Sequence, residues 1–151
     1  MFLFSRTCFK HKIGANSMGL ESGQVCIVLG LLSVGDKPRF NDVLRKVFAK
    51  SISYGCWKME IHIFTMGFGL EGVVEATRNA ILSNIHLSLV IYEHNGLSEL
   101  NDVLTRIKSR IEVDNIKKVF VYVSPGVSRD VIMNIKEVLP SEYTEFLSQS
   151  L

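Results

Sequence analysis

The sequence predicts a layered α/β domain. Three observations carry this: β-rich apolar runs, amphipathic helical stripes between them, and connections of helix length rather than hairpin turns. At 151 residues the chain can bury one ordinary core. It is 47% hydrophobic and 21% charged with only 3 prolines, a globular composition rather than a disordered one.

Residues 1–23 lack sustained periodicity and read as an N-terminal arm or leader, leaving 24–151 as a single α/β domain. The run QVCIVLGLLSV (24–34) is apolar almost throughout, as a strand covered on both faces must be. Phe40, Val43, Leu44, Val47 and Phe48 then recur at the spacing of an amphipathic helix. MEIHIFTM (59–66) is a second strand, followed by a glycine turn. Leu70, Val73, Val74, Thr77 and Ile81 stripe the next helix, and HLSLVIYEH (86–94) is a third strand. Leu97, Leu100, Val103, Leu104, Ile107 and Ile111 mark another helix, with Asn95 or Ser98 as its cap. KKVFVYVS (117–124) is a fourth strand, and Val131, Ile132, Ile135, Val138 and Leu139 form a last helix ending near Pro140. The tail from Ser141 is expected to add one further turn or two.

The net charge of +2 is unevenly distributed. Segment 36–58 has Lys37, Arg39, Arg45, Lys46, Lys50 and Lys58 against Asp36 and Asp42, and segment 106–118 has Arg106, Lys108, Arg110, Lys117 and Lys118 against Glu112 and Asp114. Two basic islands around an acidic stretch describe either a phosphate-binding footprint or solvated helix faces. Cys8, Cys26 and Cys56 are odd in number and lack zinc spacing, which favours buried free thiols and an intracellular, nuclear or cytoplasmic, setting. The first twenty residues carry Arg6, Lys10 and Lys12 without an acid, a pattern similar to a mitochondrial presequence, although Met18 is an alternative start. The longest apolar run, VCIVLGLL, is too short to span a bilayer, so no membrane partner is expected.

GFGLEG (67–72) satisfies G-x-G-x-x-G between a strand and a helix. A dinucleotide turn needs such glycines so that backbone can approach a pyrophosphate at a helix N-terminus. On this reading Gly67, Gly69 and Gly72 hold the cofactor and Glu93 binds a ribose, within a flavodoxin- or Rossmann-like doubly wound parallel sheet. Against it, Glu71 sets a carboxylate near the phosphates, and a complete βα unit precedes the supposed first strand.

A second pattern lies upstream. In VGDKPRFNDVL, residues Gly35, Lys37, Pro38, Asn41, Val43 and Leu44 sit at spacings that resemble the opening of Alba-type nucleic-acid-binding proteins. EIHIFTMGFGLEGVV (60–74) resembles that family's second strand and its turn, most closely in the small Alba-like protein subunits of ribonuclease P and MRP. The resemblance implies a two-layer sandwich with an Alba-like β-α-β-α-β core, here with an extra helix before the last strand and a C-terminal helix. It also implies that the first two strands are parallel neighbours, that the last two pair antiparallel, and that the protein forms a homo- or heterodimer. Met66 and Phe68 replace the family's basic residues at the second-strand turn.

The function expected on this basis is non-catalytic binding of RNA or DNA, in the manner of a ribonucleoprotein subunit and without a cofactor. Lys37, Arg39, Asn41, Arg45 and Lys46 would contact phosphates from the first helix, and Arg106, Lys108 and Arg110 from the second basic segment. The alternatives are the nucleotide-binding domain and a protein-interaction module. His62, His86 and His94 show no metal-ligand spacing, and Ser124 lacks a nucleophile-elbow context, so no catalytic set or metal site is named.

Overall fold

A computed structural model describes residues 8–14, 24–33, 35–66, 88–113 and 115–147. Its elements are β1 (Cys8–Gly14), β2 (Gln24–Ser33), α1 (Lys37–Ser53), β3 (Cys56–Met66), β4 (Ser88–Asn95), α2 (Leu100–Glu112), β5 (Ile116–Val123), α3 (Arg129–Val138) and β6 (Thr144–Phe146). They form one six-stranded sheet in the order β1-β4-β3-β2-β5-β6. Strands β2 to β6 run parallel, and β1 joins the β4 edge antiparallel.

The α/β class and the alternation of elements therefore agree with the sequence. Strands β2 and β3 are parallel neighbours, as expected. The antiparallel pairing of the last two expected strands does not form: β4 and β5 lie on opposite sides of the β3–β2 pair. The connection through α2 crosses that pair, and a crossover returns a strand parallel. The sheet order is that of a doubly wound domain.

The cause is strand β2. Val25 to Leu32 are all buried, with alternate residues facing opposite ways. Cys26, Val28 and Leu32 pack with Met59, Ile61, Ile63, Phe120 and Tyr122 beneath the Phe40, Val43, Leu44, Val47 and Phe48 stripe of α1. Val25, Ile27, Leu29 and Leu31 pack on the other face with Val119, Val121 and Val123. There α2 contributes Leu100, Val103, Leu104, Ile107 and Ile111, and α3 contributes Ile135. Helices thus cover both faces.

Four local expectations change. Residues 8–14, read as part of an arm, form an edge strand whose ladder with β4 runs from Cys8 opposite His94 to Gly14 opposite Ser88. Residues 144–146 form a short strand on the far edge, where further turns were expected. Cys26 and Cys56 are joined by a disulfide rather than left as thiols, because neighbouring parallel strands bring their Cα atoms within 6.1 Å. By chain entropy a bridge across 30 residues stabilises by about 3–4 kcal/mol. The N-cap position of helix α2 is Glu99, without a side-chain capping bond, rather than Asn95 or Ser98. The glycine turn and the helix expected over 70–81 fall outside the described residues.

Gly30 shows how tightly α1 sits. A Cβ there would lie 2.7 Å from Cε1 and 2.8 Å from Cζ of the fully buried Phe40 ring. That ring is held in turn against Tyr122, with centroids 5.6 Å apart. Gly30→Ala is therefore expected to destabilise the fold by about 1–3 kcal/mol through overpacking. Urea unfolding of the variant reads this, and an unchanged midpoint would refute the close fit.

Candidate functional site

In a sheet of this order the chain leaves β2 toward one edge and leaves β5 toward the other. The two turns at the carboxyl ends of these neighbouring strands diverge, the place where open α/β sheets have their ligand crevice, and Ser33 Oγ links them here by donating to the Pro125 carbonyl at 3.4 Å. The β2–α1 turn contains Gly35 at φ 89°, and the β5–α3 turn contains Gly126 at φ 98°. Neither glycine has a heavy atom within 4 Å of where a Cβ would stand, so an approaching group meets bare backbone there.

Beneath the turns lies a buried polar network. Asp36 precedes α1 and is 8% exposed, while Tyr122 is fully buried and Ser124 is 2% exposed. The Tyr122 hydroxyl donates to Asp36 Oδ2 at 2.6 Å, and the Ser124 hydroxyl donates to the same oxygen. Ser124 Oγ also accepts from the Ser33 backbone N–H at 3.1 Å. Burial, followed by the Asp36 hydrogen bond and charge, pushes the Tyr122 hydroxyl well above its ordinary pKa, so it remains a donor at any working pH. Arg39 Nε stands 4.0 Å from Asp36 Oδ1. The network ties the start of α1 to the end of β5 and fixes the crevice walls.

Helix α1 begins at Lys37 with Pro38 in its first turn, no acidic residue there and no side-chain cap. Its terminal N–H groups and dipole favour an anion. Helix α3 is different: Ser128 Oγ accepts from the Val131 N–H, and Asp130 occupies its first turn.

A second polar cluster lies on the opposite face, under α2. Glu60 of β3 is 4% exposed and accepts a two-pronged pair from Arg110, at 2.6 and 3.0 Å. Lys58 Nζ is 3.3 Å from the same carboxylate. Burial raises the Glu60 pKa, but the Arg110 hydrogen bond and charge, with Lys58 and His62, reverse this and leave it lowered. His62 Nδ1 and His94 Nε2 are 3.1 Å apart. Tyr92 stacks on His62 at 4.5 Å, and Phe64 stacks on His94 at 4.4 Å. Among the described residues no group of three or more His, Cys, Asp and Glu is arranged to hold a metal ion.

The expected phosphate ligands separate. Lys37 and Arg39 begin α1 beside the crevice. Asn41 is half-buried with Oδ1 unpartnered, exposed Arg45 pairs with Asp42 at 2.8 Å, and Lys46 is exposed. Arg106, Lys108 and Arg110 lie on α2 across the sheet, and Arg110 is committed to Glu60. The two basic islands do not share one surface.

Gly67, Gly69 and Gly72 fall outside the described residues. The strand before them, β3, stands one place away from the divergence, which lies between β2 and β5. Glu93 is half-buried on β4, opposite Ile63. The turn that follows β2 at this divergence is the one at Gly35. Sequence reading missed Asp36, Tyr122 and the Glu60–Arg110 pair, and it rejected Ser124 for a different role. Only the GDKP and YVSPG turns, each directly after a strand, hinted at the network.

Two outcomes follow from these clusters. Tyr122→Phe removes a hydrogen bond to a buried carboxylate and should cost about 1.5–3 kcal/mol by urea unfolding. Burial, then the neighbouring charge, holds His62 at a pKa of about 3 and His94 at about 4. The unfolded chain takes up these protons below about pH 6.5 while the folded chain does not, so stability must fall as pH drops from there toward 4. Between pH 7 and 5 the loss is up to about 2 kcal/mol per histidine. Urea midpoints that stay flat across that window would contradict buried neutral imidazoles.

Comparison with known proteins bears on the fold. The crystal structure of a hypothetical protein (ST0493) from Sulfolobus tokodaii is similar, with a TM-score of 0.57 and 19% identity over 85% of this chain and 98% of that one. At that identity the likeness shows shared architecture alone. No curated protein matches the chain. The profile of one family covers residues 31–150, from the end of β2 through every later element. The chain therefore belongs to the Family of unknown function (DUF5751).

Proposed function

We propose that the protein is a non-catalytic phosphate binder that takes a nucleotide unit, free or within an RNA or DNA strand, between the β2–α1 and β5–α3 turns. The observation that supports this most is the divergence of those turns at the carboxyl ends of β2 and β5, where open α/β sheets take their ligands. The first turn of α1, acid-free and without a side-chain cap, supplies N–H donors, and Lys37 and Arg39 supply charge. The Asp36 carboxylate is buried, and Arg39 offsets its charge in part. Its Oδ2 is occupied by two hydroxyl donors, and Arg39 stands beside Oδ1.

A strand lying over α1 meets Lys37, Arg39 and Lys46 without reaching α2, so few phosphates are neutralised at once. For a short single-stranded RNA with these three contacts, affinity should fall about twentyfold between roughly 50 and 200 mM salt. A footprint that also engaged Arg106, Lys108 and Arg110 would lose more than about a hundredfold over the same range. Fluorescence anisotropy measures this, and a parallel titration with mononucleotides separates a free nucleotide from a strand. Lys37→Glu combined with Arg39→Glu should remove most of the binding. Unchanged affinity in that double variant overturns the site.

A further inference from the structure

We infer that the cavity between α2 and strands β3 and β4 is a separate ligand site, for a small oxyanion, held by His62 and Arg106. This does not rest on the nucleotide reading, because the residues lie on the opposite face of the sheet from α1.

The cavity measures about 130 Å³ and is lined by Glu60, His62, Tyr92, Arg106 and Arg110, with Val103 and Ile107 as its apolar side. That is room for several waters or one small molecule. Of the charged groups on its wall, Glu60 and Arg110 satisfy each other, and Lys58 adds a further cation against Glu60. Arg106 makes no ion pair among the described residues, yet its charge reaches both His62 and His94. The wall thus carries one uncompensated guanidinium, and the carboxylate nearby is already neutralised at both oxygens.

The histidine pair supplies the second group. His94 Nδ1 is buried without a hydrogen-bond partner. If His62 donated to His94, that nitrogen would carry an orphaned N–H, the rarer and costlier defect. The better arrangement has His94 Nε2–H donating to His62 Nδ1 and leaves only a lone pair unmet. The proton of His62 then sits on Nε2. His62 is 7% exposed, and its one hydrogen bond among the described residues is to His94 through Nδ1. Its Nε2–H has no hydrogen-bond partner among the described residues and belongs to a ring that lines the cavity.

The stack with Tyr92, at 5° between planes, fixes the direction of that donor. Burial keeps the ring neutral, so it binds through its N–H rather than through charge. An oxyanion accepting from His62 Nε2–H and from the Arg106 guanidinium would replace water on both groups with charge-assisted hydrogen bonds. The cavity size limits it to a small carboxylate or a phosphate-sized ion.

The test is a histidine-ring ¹⁵N–¹H NMR titration of the full chain at constant ionic strength. Sodium phosphate and sodium acetate are the two probes, and sodium chloride is the control. The expected result is a saturable shift of the His62 Nε2 resonance with at least one probe; which probe saturates decides between phosphate and carboxylate. Arg106 is solvent-exposed, so Arg106→Gln should fold normally and weaken that binding about tenfold or more. The Lys37→Glu, Arg39→Glu variant should leave it unchanged. Absence of saturation with both probes overturns the site, as does an Arg106→Gln chain that binds as tightly as the parent.

Discussion

Strand β2 has no side that water can reach. Its residues from Val25 to Leu32 are buried on both faces, and it is hydrogen-bonded along both edges, to β3 and to β5. Each fully buried Val, Leu or Ile there is worth about 1.5–3 kcal/mol relative to exposure. That gain requires a helix above and a helix below. The chain must therefore wind outward from β2 through α1 to one edge, then return across the sheet through α2 to begin again on the other side. The crevice is a by-product of this constraint: two strands that share a central position send their turns in opposite directions.

The polar groups accept the same partition. Asp36, Tyr122 and Ser124 sit on the α1 face, where two hydroxyl donors solvate a carboxylate that has left water. Glu60, Arg110, His62 and His94 sit on the α2 face, where a guanidinium does the same for a second carboxylate. A layer of close-packed aliphatic residues separates them.

Much of the fold was legible because periodicity reports local burial. The largely apolar run of 24–34, and the stripes at Phe40 to Phe48 and Leu100 to Ile111, each correspond to an observed element. Strand order was not legible, because parallel and antiparallel partners bury the same residues. The edge strands at 8–14 and 144–146 were missed for a related reason: both are short or mixed in polarity, and they exist because an adjacent strand offers a free ladder. At the candidate site, Lys37 and Arg39 were found from charge and their place beside a turn. Asp36 and Ser124 were not joined, since they are 88 residues apart in sequence and meet only through the β2–β5 pairing. Arg110 read as a phosphate ligand, because a sequence does not reveal that Glu60 already holds it.

Cys26 and Cys56 bracket the segment that carries the proposed phosphate groups, and their bond turns β2, α1 and the start of β3 into a covalent ring. A protease that cut the exposed turn at Gly35 would open this ring without releasing a fragment. The nicked chain would still run as one species until reductant was added. In the nicked chain helix α1 would be held only through its C-terminal end, by the peptide that leads to Cys56 and by the sulfur bond from Cys56 to β2.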